Sequence, residues 1–300
     1  MKIAALIAPS ASGKTELSLD IASEFNCSIF SIDSLSVYKE VDILSAKPTK
    51  KEMGDIKHYG IDMLYPNEKN SAGNVLEWFI QAEQECYKSN KNLLIVGGTL
   101  FFLKSLIQGL SPKISPTSFA KYIVEREFNS TQKAFRFLSS IDAKYANSIS
   151  SNDSFRIKRG LEIYFSTNKT PSDVFAQNKK VEVAKNVEIF EIETPKEVLE
   201  SRVLMRSCKM IEQGGIDEVI ALERKYGRDA PYANSVGPKE VLDFLDAKLK
   251  KDELPKAIAS STMKLIKRQK TFAKTQFSKH KSANLQKCRE NLEKFFKNYC

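Results

Sequence analysis

The chain predicts an α/β fold: a parallel sheet that carries a phosphate-binding loop and is interrupted by an inserted α-helical domain. Three observations lead there. Short apolar runs at 3–7, 28–32, 92–96 and 187–192 end in polar or glycine-bearing turns and are separated by segments of helical spacing, the alternation that builds parallel sheets. The first run leads into Ala8-Pro9-Ser10-Ala11-Ser12-Gly13-Lys14-Thr15 and then a polar, helix-like segment from about Glu16. Between residues 111 and 185 the strand pattern stops and amphipathic helices take over.

Strand, glycine-bearing turn and helix together are what a phosphate-binding loop needs. Backbone N–H groups of such a loop converge on phosphate oxygens, and the helix N-terminus adds partial positive charge. Lys14 then reaches the terminal phosphates and the Thr15 hydroxyl ligates Mg²⁺. The first glycine of the usual pattern is replaced by Ala8, which fits where the backbone angle is ordinary. A chance Gly-Lys-Thr is the alternative; the strand before it and the helix after it favour a loop that binds a diphosphate or triphosphate.

Three hundred residues suit one large α/β domain or two smaller ones. A hydrophobic content of 42% and a charged content of 28% describe an ordinary soluble chain. The few apolar residues before Pro9 are too short for a signal-peptide core, and no run approaches the ~20 apolar residues of a membrane span. Cys27, Cys86, Cys208, Cys288 and Cys300 form no C-x-x-C, and the histidines are only His58 and His280. Neither a zinc site nor a disulfide framework is expected, and the cytoplasm is the expected compartment. The net charge of +10 is concentrated: residues 256–300 hold twelve Lys or Arg against Glu290 and Glu293, which leaves residues 1–255 neutral. Such a basic block points to a polyanion, with a merely solvated helical face as the alternative.

The strand at 28–32 ends in Asp33-Ser34. Ligands sit at the carboxyl ends of parallel strands, so Asp33 is expected near the phosphates. It is a Mg²⁺ ligand of Walker-B type, a general base facing a second substrate, or a turn or N-cap aspartate. His58 lies in a short edge strand or loop and reads as structural; Trp78 and Phe79, on a helix over 76–87, read as core. The strand at 92–96 closes in Gly97-Gly98-Thr99, where glycines admit close backbone approach and the Thr99 hydroxyl can bond a ligand; a tight turn is the plain alternative. Residues 111–118 read as a Pro/Ser linker, followed by helices at 121–128, 131–140 and 155–165. After the strand at 187–192, helices span 196–210, which places Arg202 and Arg206 on one face, and 216–225.

In this order the motifs resemble those of the tRNA dimethylallyltransferases, also called tRNA isopentenyltransferases. Pro9–Thr15 is similar to their phosphate loop. Ser31-Ile32-Asp33-Ser34 with Val37-Tyr38 is similar to S-x-D-S-x-x-V-Y, and Asp42-Ile43 with Ala46-Lys47-Pro48-Thr49 to D-I-G-T-A-K-P-T, with Leu44-Ser45 for Gly-Thr. Gly97-Gly98-Thr99 with Leu103-Lys104 resembles G-G-T-G-L-Y-L-K, with Leu100 for the last glycine. Asn152-Asp153, Arg156-Ile157, Arg159 and Leu161-Glu162-Ile163-Tyr164 match a further motif, as do Arg202, Arg206, Met210, Gly214 and Glu218-Val219. Gly237, Lys239-Glu240, Lys267-Arg268-Gln269 and Thr271-Phe272 match the closing ones.

The resemblance implies a P-loop NTPase-like parallel core, residues 1–110 and 186–300, with a helical insertion over 111–185 that grips a tRNA anticodon stem-loop. It implies transfer of a dimethylallyl group from dimethylallyl diphosphate to the exocyclic amine of the adenosine just 3′ of the anticodon. Pro9, Ser10, Ala11, Ser12, Gly13, Lys14, Thr15 and Arg202 would then hold the diphosphate, with Mg²⁺ on Thr15. Asp33 would take the amine proton, Thr99 would orient the amine or a bridging oxygen, and Lys14 would stabilise the leaving group. Asp33, Ser34, Leu35, Ser36, Thr99, Phe155, Arg156, Ile157, Lys158, Arg159, Lys267 and Arg268 would contact tRNA. A monomer is expected. Three rivals remain: a small-molecule P-loop kinase with the insertion as lid, which would not need the basic block; prenyl transfer to free adenine nucleotides, which would not need the insertion; and a non-enzymatic RNA binder, which leaves Lys14, Thr15 and Asp33 without purpose.

Overall fold

A computed structural model describes residues 1–110, 114–177, 182–277 and 280–297. The chain divides into two compact units, residues 1–107 with 182–300, and residues 108–181.

The first unit opens with β1 (Ile3–Ile7), α1 (Lys14–Glu24), β2 (Cys27–Ser31), a short α2 (Lys50–Met53), β3 (His58–Tyr59), α3 (Ala72–Lys88), β4 (Asn92–Gly97) and α4 (Leu100–Gln108). The second unit is helical: α5 (Ser118–Glu127), α6 (Thr131–Ile141), α7 (Ala143–Asn147), α8 (Ser154–Thr167) and α9 (Pro171–Gln177). The chain then returns with β5 (Glu188–Ile192), α10 (Lys196–Glu212), α11 (Gly215–Tyr226), a 3₁₀ turn (Pro231–Asn234), α12 (Pro238–Leu245), α13 (Leu254–Gln276), β6 (Lys281–Ala283) and α14 (Leu285–Lys297).

Six strands form one sheet in the order β3-β2-β4-β1-β5-β6, and every pairing is parallel. The apolar runs are continuous because both faces are covered. Ile3, Ala5, Ile7, Leu93 and Ile95 face α3 and α4, while Ala4, Leu6, Leu94 and Val96 face α1 and α14. Phe79 is fully buried and meets Phe30 edge-on at 5.3 Å, and Trp78 packs against the same core, in keeping with the sequence pattern. From β1 the chain runs outward to β2 and β3; from β4 it crosses to β5 and β6 on the other side. The loops after β1 and β4 therefore flank a topological switch point, where open parallel sheets bind ligands.

A separate cluster packs the segment after β2 against α11, α12 and the start of α13. Here Leu44 replaces the expected glycine and fills space beside two others: β-carbons built on Gly215 and Gly237 would lie 3.0 and 3.4 Å from it. Glu218 accepts the successive backbone N–H groups of Asp42, Ile43 and Leu44 at 2.7–3.1 Å, and the Lys47 ammonium is held by Asp42, Asp62 and the Tyr38 carbonyl.

The helical unit has its own core of Val124, Ala134, Leu138, Ala146, Ile157 and Leu161. Asp153 caps α8 by accepting the Arg156 N–H. The linker residues 111–113 lie outside the described residues.

The basic C-terminal block is no loose tail. β6 completes the sheet, and α14 lies on α1 and β5. Arg289 bridges Asp20 and Glu24 of α1 and Glu293, and Lys281 pairs with Glu188. Part of its charge is thus matched by acids from the neutral remainder of the chain. Among the described residues no ion pair engages Lys264, Lys267, Arg268 or Lys274, which are exposed on α13.

Candidate active site

Three strand ends build the site. After β1, Pro9 is buried, Ala11 takes a left-handed φ of 64°, and Gly13 caps α1 at φ 88°. A left-handed alanine is strained unless its surroundings enforce it, and Ala11 packs against the cluster of Leu199, Val203, Ala259 and Ile266. Ala8 is not in the left-handed region and is buried in the core, so this position needs no glycine. Ser12 is buried, does not line the cleft at the strand ends, and its Oγ has no partner among the described residues.

After β2, Asp33 Oδ1 accepts the N–H groups of Leu35 at 2.9 Å and Ser36 at 3.2 Å. Of the roles open for Asp33, the structure shows the turn: Oδ1 shapes it, while Oδ2 accepts no hydrogen bond among the described residues. Leu35 and Ser36 are buried, and the Ser36 hydroxyl meets Ser31 at 3.2 Å; Ser34 is exposed. After β4, Gly97 is the close approach: a β-carbon there would fall 2.7 Å from Ile32 Cγ1 and 3.0 Å from the Asp33 nitrogen. Thr99 Oγ1 accepts the Ser34 N–H at 3.1 Å, which clasps the β2 and β4 ends together.

These ends open onto a cleft of about 550 Å³, within the usual range for ligand pockets. Ser10, Lys14, Thr15, Asp33–Ser36, Gly98–Phe101, Val203, Arg206, Arg268, Gln269 and Phe272 line it. Lys14, Asp33 and Arg206 form a cation–anion–cation group without a direct ion pair among them. Burial lowers the Lys14 ammonium pKa, Arg206 lowers it further, and Asp33 opposes both. Burial likewise lowers Arg206, against Asp33. Two partly buried cations coupled to one carboxylate constitute a site short of negative charge.

Some expected residues are not in the cleft. Arg202 is exposed on α10 and does not line it; Arg206, four residues later, does. Spacing alone places both arginines on one face and does not choose between them. Ile157 is fully buried in the helical core, so it packs α8 and presents nothing outward. Its neighbours Phe155, at 79% exposure, Arg156 and Lys158 are exposed, while Arg159 is partly engaged with Glu162 and the Ile114 carbonyl. Arg268 reaches the cleft, and Lys267 beside it is exposed outside it. Gln269 carries no signal in the sequence beyond its place in a motif. Its Nε2 donates to the Gly98 carbonyl at 2.9 Å, and its buried Oε1 is unpaired among the described residues. His58 lines the cleft with Nδ1 on the Ile56 carbonyl, and burial lowers its pKa, which favours the neutral ring.

A family model described as IPP transferase matches residues 36–276. A tRNA dimethylallyltransferase of Sulfurimonas denitrificans is 45% identical over 285 residues, covering 94% of this chain and 95% of its own. One from Aliarcobacter butzleri is 45% identical over 296 residues, 99% of each chain. The solved tRNA isopentenylpyrophosphate transferase of Bacillus halodurans matches with a TM-score of 0.72 at 26% identity, over 98% of this chain and 95% of that one. The chain belongs to the tRNA dimethylallyltransferase family.

Proposed function

We infer that this chain transfers a dimethylallyl group from dimethylallyl diphosphate to the N6 amine of the adenosine 3′-adjacent to the anticodon of tRNA. One observation carries the reading: the Asp33 carboxylate couples electrostatically to the partly buried Lys14 and Arg206 in one cleft, next to Ser34, whose N–H is held by Thr99. The amine nitrogen forms a bond to the allylic carbon as the carbon–oxygen bond to diphosphate breaks. The amine proton passes to Asp33, since an adenine amine is a poor nucleophile unless its proton is taken up. Loop N–H groups, Lys14 and Arg206 hold the charge that grows on the leaving diphosphate. Thr99, already accepting from Ser34, retains its own O–H to orient the amine or a bridging oxygen.

The residues fit Mg²⁺ bound with the diphosphate. Thr15 offers one hydroxyl beside an anion cradle, and Mg²⁺ is usually held by one or two protein groups together with substrate phosphates. When bound, the metal would offset leaving-group charge. The acceptor must unstack its target base to enter the cleft, where Phe101 and Phe272 offer aromatic surface. Phe155, Arg156, Lys158 and Arg159 of the helical unit, and Lys267 and Arg268 of α13, supply contacts to a single-stranded loop and its phosphates. No helix among the described residues is long and apolar enough to cross a membrane; we place the protein in the cytoplasm as a monomer.

Incubation with labelled dimethylallyl diphosphate, Mg²⁺ and an unmodified anticodon stem-loop tests this, with parallel reactions using labelled ATP or free AMP. Label in the stem-loop from the isoprenoid donor alone is expected. Transfer from ATP would establish a kinase, and prenylation of AMP in preference to RNA would establish the nucleotide reading.

A further inference from the structure

The C-terminal helix begins beside the phosphate loop. A β-carbon built on Gly13 would lie 3.4 Å from Leu285 Cδ2 and 3.6 Å from Cδ1, so Leu285 is the side chain that lies over the open face of the left-handed turn that opens α1. Leu285 is the first residue of α14 and is 40% exposed. The helix behind it is fastened along α1, the helix that starts with Lys14 and Thr15. Arg289 bridges Asp20 and Glu24, Phe296 stacks on Phe25 at 5.8 Å, and the Lys2 ammonium donates to the Phe295 carbonyl at 2.6 Å. On the other side Ala11 rests on the α10–α13 cluster. Of the two loop residues in left-handed geometry, Ala11 is thus flanked by α10 and α13 and Gly13 by Leu285 of α14. The matching family model ends at residue 276, before α14 begins.

We propose that Leu285 is a positioning residue: it holds the Gly13 turn so that the loop N–H groups aim at the diphosphate, and it thereby sets affinity for the donor and not for RNA. The inference rests on the diphosphate reading of the loop. A partly exposed leucine contributes little to global stability, so its removal separates positioning from folding. Anion affinity depends instead on the aim of preorganised donors.

The test is calorimetric binding of inorganic pyrophosphate with Mg²⁺ to the full chain, joined to steady-state kinetics. Leu285→Ala should weaken pyrophosphate binding about five- to tenfold and raise the donor KM similarly, leaving the RNA KM within about twofold, the effect of a slightly misaimed loop. Leu285→Met, which restores bulk on the turn, should recover most of both. Equal pyrophosphate affinity in Leu285→Ala and the unaltered protein would overturn the proposal, as would parallel loss of pyrophosphate affinity, RNA affinity and melting temperature. Failure of the unaltered protein to bind pyrophosphate would instead overturn the diphosphate reading beneath it.

Discussion

Replacing Asp33 by asparagine isolates its chemistry from its role in the loop. Oδ1 accepts two backbone N–H groups, from Leu35 and Ser36. An asparagine oxygen can accept the same pair, so the turn survives. The substitution removes the negative charge facing Lys14 and Arg206 and the group able to take the amine proton. A positioned general base is worth about 10²–10⁴ in rate, or roughly 2.7–5.4 kcal/mol at ~1.36 kcal/mol per decade. Asp33→Asn should therefore cut single-turnover prenyl transfer by that factor while stem-loop binding, measured by fluorescence anisotropy, stays within about twofold. Asp33→Ala should be as slow and also less stable, since it gives up two hydrogen bonds worth about 1 kcal/mol each. If Asp33→Asn kept turnover within about tenfold of the unaltered protein, Asp33 would be a turn residue and the proton would leave by another route.

Lys14→Met should lower turnover by at least about 10² through loss of leaving-group stabilisation. It should also raise the melting temperature of the ligand-free protein. The Lys14 pKa is lower folded than unfolded, so its protonated form disfavours folding, and that penalty fades as pH rises through the folded pKa toward the unfolded one only in the sense that the lysine can then be buried neutral. Below the folded pKa the charged lysine is present in both states and the pH dependence vanishes; between the two values folding releases a proton, and the unaltered protein gains stability with rising pH. The stability gap between Lys14→Met and the unaltered protein should accordingly narrow toward alkaline pH; a gap independent of pH would contradict the origin given for it. Reversing charge at Lys267 and Arg268 should weaken stem-loop binding and flatten its dependence on salt, by about 0.7 in log–log slope for each phosphate no longer neutralised. An unchanged slope would mark these exposed side chains as solubilising only. Leu44→Ala should destabilise the first unit by about 2–5 kcal/mol in denaturant unfolding, because Leu44 is 4% exposed and packs beside Gly215 and Gly237. A cost below about 1 kcal/mol would mean that the loop collapses into the space.

The sheet is legible in the sequence because burial on both faces leaves uninterrupted apolar runs: these locate β1 at its observed bounds, and β2, β4 and β5 to within a residue at each end. β6 escapes, since Lys281-Ser282-Ala283 carries no apolar signal and is a strand only by pairing with β5. The C-terminal charge reads as unmatched because sequence counts charge without pairing, and the partners of Arg289 lie more than 260 residues away in α1. In the cleft, Lys14, Asp33 and Thr99 are legible because each follows the end of a strand in a parallel sheet. Arg206 and Gln269 are not, because they come from helices, and which turn of a helix faces a cleft depends on packing. Ile157 misleads for the same reason: it stands among basic residues, yet the helical period turns it inward.

The most direct measurement of the central claim is a rapid-quench single turnover in which diphosphate release and prenylated adenosine are counted in one reaction. One diphosphate released for each adenosine modified beside the anticodon, with no release when RNA is omitted and none of either product from Asp33→Asn on the same timescale, is the predicted result. Diphosphate released without RNA modification, or modified RNA formed at full rate by Asp33→Asn, would contradict it.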